Sequence, residues 1–154
     1  MKPRIELARD WKFFQPLLAV NAAIEAGGLD PKLLHLVEMR ASQINGCAYC
    51  LDMHSKDARA AGETEQRLYL LDAWRESPFY SDRERAALAW TEALTRISKT
   101  KDVPDALYDE MRKHFSDKEL VDLSLAIIAI NGWNRLAIPF RSEPGHYQPG
   151  DHAK

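Results

Sequence analysis

Two cysteines are all the sulfhydryl chemistry that 154 residues contain. That scarcity excludes a disulfide-stapled scaffold, and a chain of this length can bury a core without staples. Basic excess is also missing: 21 lysines and arginines against 23 aspartates and glutamates leave 21 − 23 = −2. Neither a nucleic-acid partner nor an anionic membrane surface is expected from that balance. The opening stretch "MKPRIELARDWKFF" lacks the apolar centre of a secretory leader. The longest strongly apolar stretch, residues 123–130, falls well short of the ~18 residues that cross a bilayer. The expectation is a cytoplasmic protein with no membrane partner. Sustained period-two alternation, internal repeats, low-complexity tracts and an interdomain linker are absent too, so one domain without strands is expected.

Helical periodicity and helix punctuation fill the chain instead. Proline at position 16 and the pair Gly27-Gly28 bound a first helix over residues 16–26. Asp30-Pro31 opens a second, in which Leu34, Val37, Ala41 and Ile44 share one face. Asn45-Gly46 ends it, and a third runs from Cys47 to a stop at Gly62. Thr64 caps a fourth over residues 65–77. Capping boxes, Ser81 with Glu84 and Ser116 with Glu119, open a fifth helix and a long final one, with a helix after Pro104 between them. The last helix, apolar around most of its circumference from Leu120 to Ile130, belongs in the core or in a subunit interface. An irregular tail is expected from about Pro139. The fold class is all-α, a bundle of six to seven helices. Trp74, Trp90 and Trp133 read as core or interface residues, and Gly132 inside the last helix suggests a close crossing.

Both cysteines lie in "QINGCAYCLDMH", residues 43–54. In a reducing compartment a CxxC pair is more often metal-binding or redox-active than structural. At ~100° per residue, Cys50 and His54 fall at about 300° and 340° relative to Cys47, one stripe of a helix. Asp57 continues that stripe, where its carboxylate can orient or charge-stabilise His54. Helix starts and neighbouring imidazoles lower a thiol's pKa, which would make Cys47, in the first turn, the more acidic sulfur. Tyr49 and Met53 flank the motif as pocket or packing residues. Inert core residues and a zinc site are the competing readings. Cys47, Cys50 and His54 supply three ligands, and a fourth would come from His35, Glu38 or a distant group. A c-type haem site is excluded because Leu51, not histidine, follows the second cysteine. A thioredoxin fold is excluded because a helix, not a strand, precedes the motif.

The segment "MRASQINGCAYCLDMHSKDARAAG" closely resembles the core of the alkylhydroperoxidase D-like proteins of the carboxymuconolactone decarboxylase superfamily. With "ERAALAWTEALT" and "ELVDLSLAIIAINGWNRLAI", the resemblance covers roughly residues 14–140. It implies an all-helical domain assembling as a trimer or hexamer, and thiol-dependent reduction of a small-molecule peroxide. An external dithiol reductant restores the pair, without a cofactor or metal. Carried over by position, Cys50 attacks, Cys47 resolves and His54 relays protons. The relay glutamate stands twelve residues before the first cysteine in the family pattern, where this chain has His35. Glu38, on the flank of its helix's apolar face, is the expected acid–base partner. The superfamily also implies a lactone decarboxylase as an alternative. A redox sensor or metal-binding helical oligomer without turnover is the non-enzymatic one.

Overall fold

The computed structural model describes residues 2–5, 7 and 11–151. Eight α-helices and no strand occur among them: α1 (Gln15–Ala26), α2 (Pro31–Asn45), α3 (Ala48–Ala60), α4 (Glu65–Leu70), α5 (Asp82–Thr95), α6 (Ile97–Thr100), α7 (Asp105–His114) and α8 (Asp117–Phe140). The count exceeds the expected six to seven because α4 and α6 are separate short pieces. Most helix starts are dictated locally. The Asp30 carboxylate accepts from Lys32 N at 2.9 Å. Ser81 and Ser116 form both expected capping boxes.

Two boundaries differ from expectation. The fourth helix was expected to reach residue 77 but gives way after Leu70 to a 3-10 turn, Leu71–Ala73. Tertiary contacts override local propensity there: Leu71 is fully buried, Asp72 pairs with Arg40, and Trp74 Nε1 donates to Glu92 Oε1 at 3.0 Å. Helix α8 continues through Pro139 to Phe140 and stops at Arg141 in the left-handed conformation (φ 59°). Pro139 has no N–H to give to the carbonyl four residues back, and the helix ends one residue after it. Gly132 is not forced by a close crossing, since a Cβ there would meet Leu17 only at 3.8 Å, an ordinary contact.

Helix α2 is central, packing on α3, α5 and α8. Its Leu34 and Val37 join α1, α5, α7 and α8 in the main core, and its Leu36 and Met39 join α3, α4 and α5 in a second cluster. A buried polar knot fixes α2 against α5: Arg40 Nε donates to Glu92 Oε1 at 2.9 Å, and Arg75 Nη1 to Glu92 Oε2 at 2.8 Å. Burial would raise the Glu92 pKa, but the Trp74, Arg75 and Arg40 donors outweigh it and hold the carboxyl below its ordinary range. Helix α8 presents Leu123, Ile127 and Ile130 to the core and leaves Val121 and Ile128 58% and 61% exposed. It is also long and apolar enough to cross a bilayer by length and composition, with mean hydropathy 1.2 over its best window. In this fold the helix packs on α1, α2, α3 and α5.

A ladder of amides joins the end of α2 to α8. Asn45 Nδ2 donates to Asn131 Oδ1 (3.0 Å) and Asn134 Oδ1 (2.8 Å), and Asn134 Nδ2 to Ser42 Oγ (3.2 Å). Asn131 Nδ2 donates in turn to Thr95 Oγ1 at 3.0 Å. The ladder anchors the α2–α3 corner, where Gly46 takes φ +71° and Cys47 N donates to Ser42 O at 3.0 Å. No atom lies within 4 Å of a Cβ built on Gly46, so only backbone conformation demands glycine. Gly46→Ala is therefore expected to destabilise the fold by about 1 kcal/mol through left-handed strain alone. Differential scanning calorimetry should show a Tm lowered by roughly 2–4 °C for a chain of this size.

Candidate functional site

The corner after Gly46 delivers Cys47 to the N-cap of α3, with extended backbone (φ −85°, ψ 96°). Cys47 Sγ accepts from Cys50 N at 3.3 Å, the place usually taken by a serine or aspartate oxygen. Cys47 was expected inside the first turn; it stands one residue earlier, as the cap itself. One turn on, Cys50 Sγ is bonded to Cys47 Sγ in a disulfide. The sulfurs are 1% and 2% exposed by residue and pack with Ala41, Ile130 and Ala137.

His54, one further turn along α3, is buried and faces α2. Its Nδ1 lies 3.1 Å from Glu38 Oε2. His35, one turn before Glu38 on α2, places its Nδ1 3.4 Å from the same oxygen. That His35 nitrogen is buried and has no hydrogen-bond partner. Burial by itself would raise the Glu38 pKa, but the His54 charge and the two imidazoles win and bring it down to about 2. Burial likewise opposes the His54 imidazolium, yet the Glu38 charge and hydrogen bonding, with a smaller contribution from Asp57, raise its pKa.

Asp57 gives His54 charge but not orientation. Its carboxylate oxygens accept from Tyr147 Oη at 2.8 and 3.0 Å. The tail beyond α8 crosses α3 there: Gly145 N donates to Asp52 Oδ2 at 2.9 Å, and Lys56 Nζ to Tyr147 O at 3.0 Å. Burial first, then the Asp57 hydrogen bond and charge, raise the Tyr147 pKa.

Cys50, His54 and Glu38 open onto a cavity of about 550 Å³. Tyr49 and Met53 line it, as does Trp133, which the sequence reading left as core or interface. Phe14 packs on Trp133 with ring centroids 5.9 Å apart, and Trp133 Nε1 donates to Asn21 Oδ1 at 3.4 Å. Pro3, Ile5 and Leu7 form another part of the wall, held near the end of α8 by Arg4 N donating to Phe140 O at 3.0 Å. Cys47 and His35 do not line the cavity. The expected residues Cys47, Cys50, His54 and Glu38 are thus brought together. Beyond Tyr49 and Met53, the cavity walls were missed because they come from both ends of the chain, and no local pattern marks them.

For a metal, the structure differs from the zinc set weighed from sequence. The cysteines are bonded to each other, and the ligand-bearing atoms of His35, Glu38 and His54 lie within 4.8 Å of one another. His114, near the end of α7, places its Nε2 3.1 Å from Glu110 Oε1. His146 is exposed, and His152 lies outside the described residues.

Comparison with known proteins adds context. The family model of the carboxymuconolactone decarboxylase family matches residues 12–93. The uncharacterized protein YdfG of Bacillus subtilis is 53% identical over 103 residues, 67% of this chain and 69% of its own. A solved structure from Agrobacterium tumefaciens, a protein of unknown function proposed as an antioxidant defence protein AhpD, superposes with TM-score 0.89 at 44% identity. It covers 95% of this chain and 100% of its own. An uncharacterized peroxidase-related protein from Ralstonia eutropha, described as an alkylhydroperoxidase AhpD core, shares the fold at 21% identity. Its TM-score is 0.79, over 91% of this chain and 74% of its own.

The electrostatics generate a prediction. A depressed carboxyl contributes stability above its unfolded pKa of about 4.5 and loses it as pH falls toward about 2. A raised imidazole contributes below its unfolded value of 6.5 and loses it as pH rises through the folded one. The pair should stabilise the fold fully only between those unfolded values. In Glu38→Gln, the charge and hydrogen bond that raise the His54 pKa are lost, burial dominates, and the His54 titration should move to lower pH. NMR titration of the His54 ring checks the shift, and urea midpoints across pH check the window.

Proposed function

Because this chain belongs to the carboxymuconolactone decarboxylase family as an AhpD-like member, we propose that it is a thiol-dependent peroxidase using Cys50 and Cys47. The observation that carries this reading is the asymmetry of the cysteines. Only Cys50 faces the cavity, beside a buried histidine whose positive charge is favoured by a partly buried carboxylate. That asymmetry supports Cys50 as the attacking sulfur, although the N-cap position favours the Cys47 thiolate electrostatically.

In the proposed cycle, the Cys50 thiolate attacks the terminal peroxide oxygen. The O–O bond breaks, and the departing alkoxide takes a proton from His54, leaving as an alcohol. Cys50 is now a sulfenic acid. Cys47, one turn away, attacks Cys50 Sγ through its sulfur. Hydroxide departs as water with the proton that the Cys47 thiol gives up, and the disulfide forms. Glu38 positions His54 and favours its protonated form. An external dithiol then reduces the disulfide to two thiols and is itself oxidised. No step calls for a cofactor. With both sulfurs buried, the donor has to enter the cavity, which favours a slender dithiol in a reducing cytosol.

The apolar walls, Phe14, Trp133 and Met53 among them, favour organic hydroperoxides over hydrogen peroxide, because they offer a bulky tail dry surface and a small polar oxidant little. Cumene hydroperoxide should therefore show the higher kcat/KM in a coupled assay with dihydrolipoamide. Cys50→Ser should abolish turnover. Cys47→Ser should allow one oxidation per chain, visible by mass spectrometry as a dimedone-trapped sulfenic acid. Full turnover by both variants would sink the proposal.

We also propose self-association into a trimer or hexamer. The support is the stripe Val121, Leu125 and Ile128 on the outer face of α8, which a lone chain leaves in water. The double substitution Val121→Glu and Ile128→Glu should yield monomers in light scattering coupled to size-exclusion chromatography, where the parent chain gives a closed oligomer.

A further inference from the structure

We propose that His35, Glu38 and His54 form a binding site for a divalent late transition ion such as Zn²⁺, independent of the cysteines. Three observations lead there. The His35 Nδ1 is buried and makes no hydrogen bond, although it lies 3.4 Å from a carboxylate oxygen. A buried ring nitrogen without a partner is costly, and a bound cation relieves it. The separations from Glu38 Oε2 to the two Nδ1 atoms, 3.1 and 3.4 Å, match the spacing of about 3.3 Å between neighbouring ligands of a tetrahedral ion with bonds of about 2.0 Å. The third separation lies within 4.8 Å. Two imidazoles and a carboxylate also form a donor set that suits zinc and iron(II).

The framework for such a site is in place. His35 and Glu38 sit one turn apart on α2, locked to α5 and α8, and His54 comes from α3 across a fixed corner. Glu38 and His54 also line the cavity, which leaves a coordination position for water or an incoming small molecule. The ion and a proton compete for the same lone pairs, so occupancy displaces the proton from His54. On the peroxidase reading, on which only this consequence rests, the ion removes the acid that protonates the departing alkoxide. Zinc is then a reversible inhibitor acting through the relay and not through the sulfurs.

The test uses the full, untagged chain in its disulfide form, in which neither sulfur is a thiolate. Zn²⁺ is titrated in competition with a chromophoric zinc indicator. The expected result is one equivalent bound per chain, released with protons into a weakly buffered solution. Glu38→Gln and His35→Ala should each weaken binding at least about tenfold, because even outer partners of a metal site cost that much. The Cys47→Ser/Cys50→Ser double variant and His114→Ala should bind as the parent does. X-ray absorption of the parent complex, which needs no variant to fold, should show only nitrogen and oxygen near 2.0 Å. Absence of saturable binding below about 100 µM Zn²⁺, equal affinity in Glu38→Gln, or a sulfur shell near 2.3 Å would overturn the proposal. Zinc binding as described in a chain without peroxide turnover would sink the peroxidase reading alone. Turnover with no zinc site would sink this inference alone.

Discussion

One carboxylate between two imidazoles holds the reactive region together. Glu38 rises from α2 and meets His54 from α3, and each ionises more readily because of the other. In a buried setting such mutual support is decisive, since an isolated charge would neutralise. The pair ties the helix at the centre of the core to the helix bearing the cysteines. Its geometry depends on the angle at Gly46, and that angle depends on the amide ladder from Asn45 into α8. Packing, corner and charge are therefore one construction, built from the core outward.

Around that construction the molecule separates two sulfurs that sequence treats alike. Cys47 is turned into the protein as a helix cap and does not line the cavity. Cys50 is turned toward a cavity whose walls come from α1, α8 and residues near both ends of the chain. The division assigns different surroundings to neighbours only three residues apart, and it follows from one being the cap and the other lying inside the first turn.

Local features were legible in the sequence because their causes are local. Asp30-Pro31, the capping boxes at Ser81 and Ser116, and the break at Asn45-Gly46 mark their boundaries through bonds made within four residues. The stripe of Cys50 and His54 was legible for the same reason, and Glu38 could be preferred because it flanked the buried face of its helix. What escaped was nonlocal. Helix α4 ends early because Trp74 reaches Glu92 and Asp72 reaches Arg40. Asp57 turns away from His54 because Tyr147, 90 residues later, claims it. Trp133 read as packing because nothing in its helix announces a void beside it. His35, which stands where the family pattern has its relay glutamate, lies 3.4 Å from Glu38 one turn along the same helix.

The sulfur that caps α3 has a thermodynamic corollary. A thiolate at a helix start is a stronger acceptor, and a better match for the positive end of the dipole, than a disulfide sulfur. Whatever secures the first turn of α3 thereby also favours the electron-rich state of Cys47, and the equilibrium between dithiol and disulfide moves toward the dithiol. Heat tolerance and midpoint potential are then two readings of a single atom, and a substitution that loosens that turn should register on both.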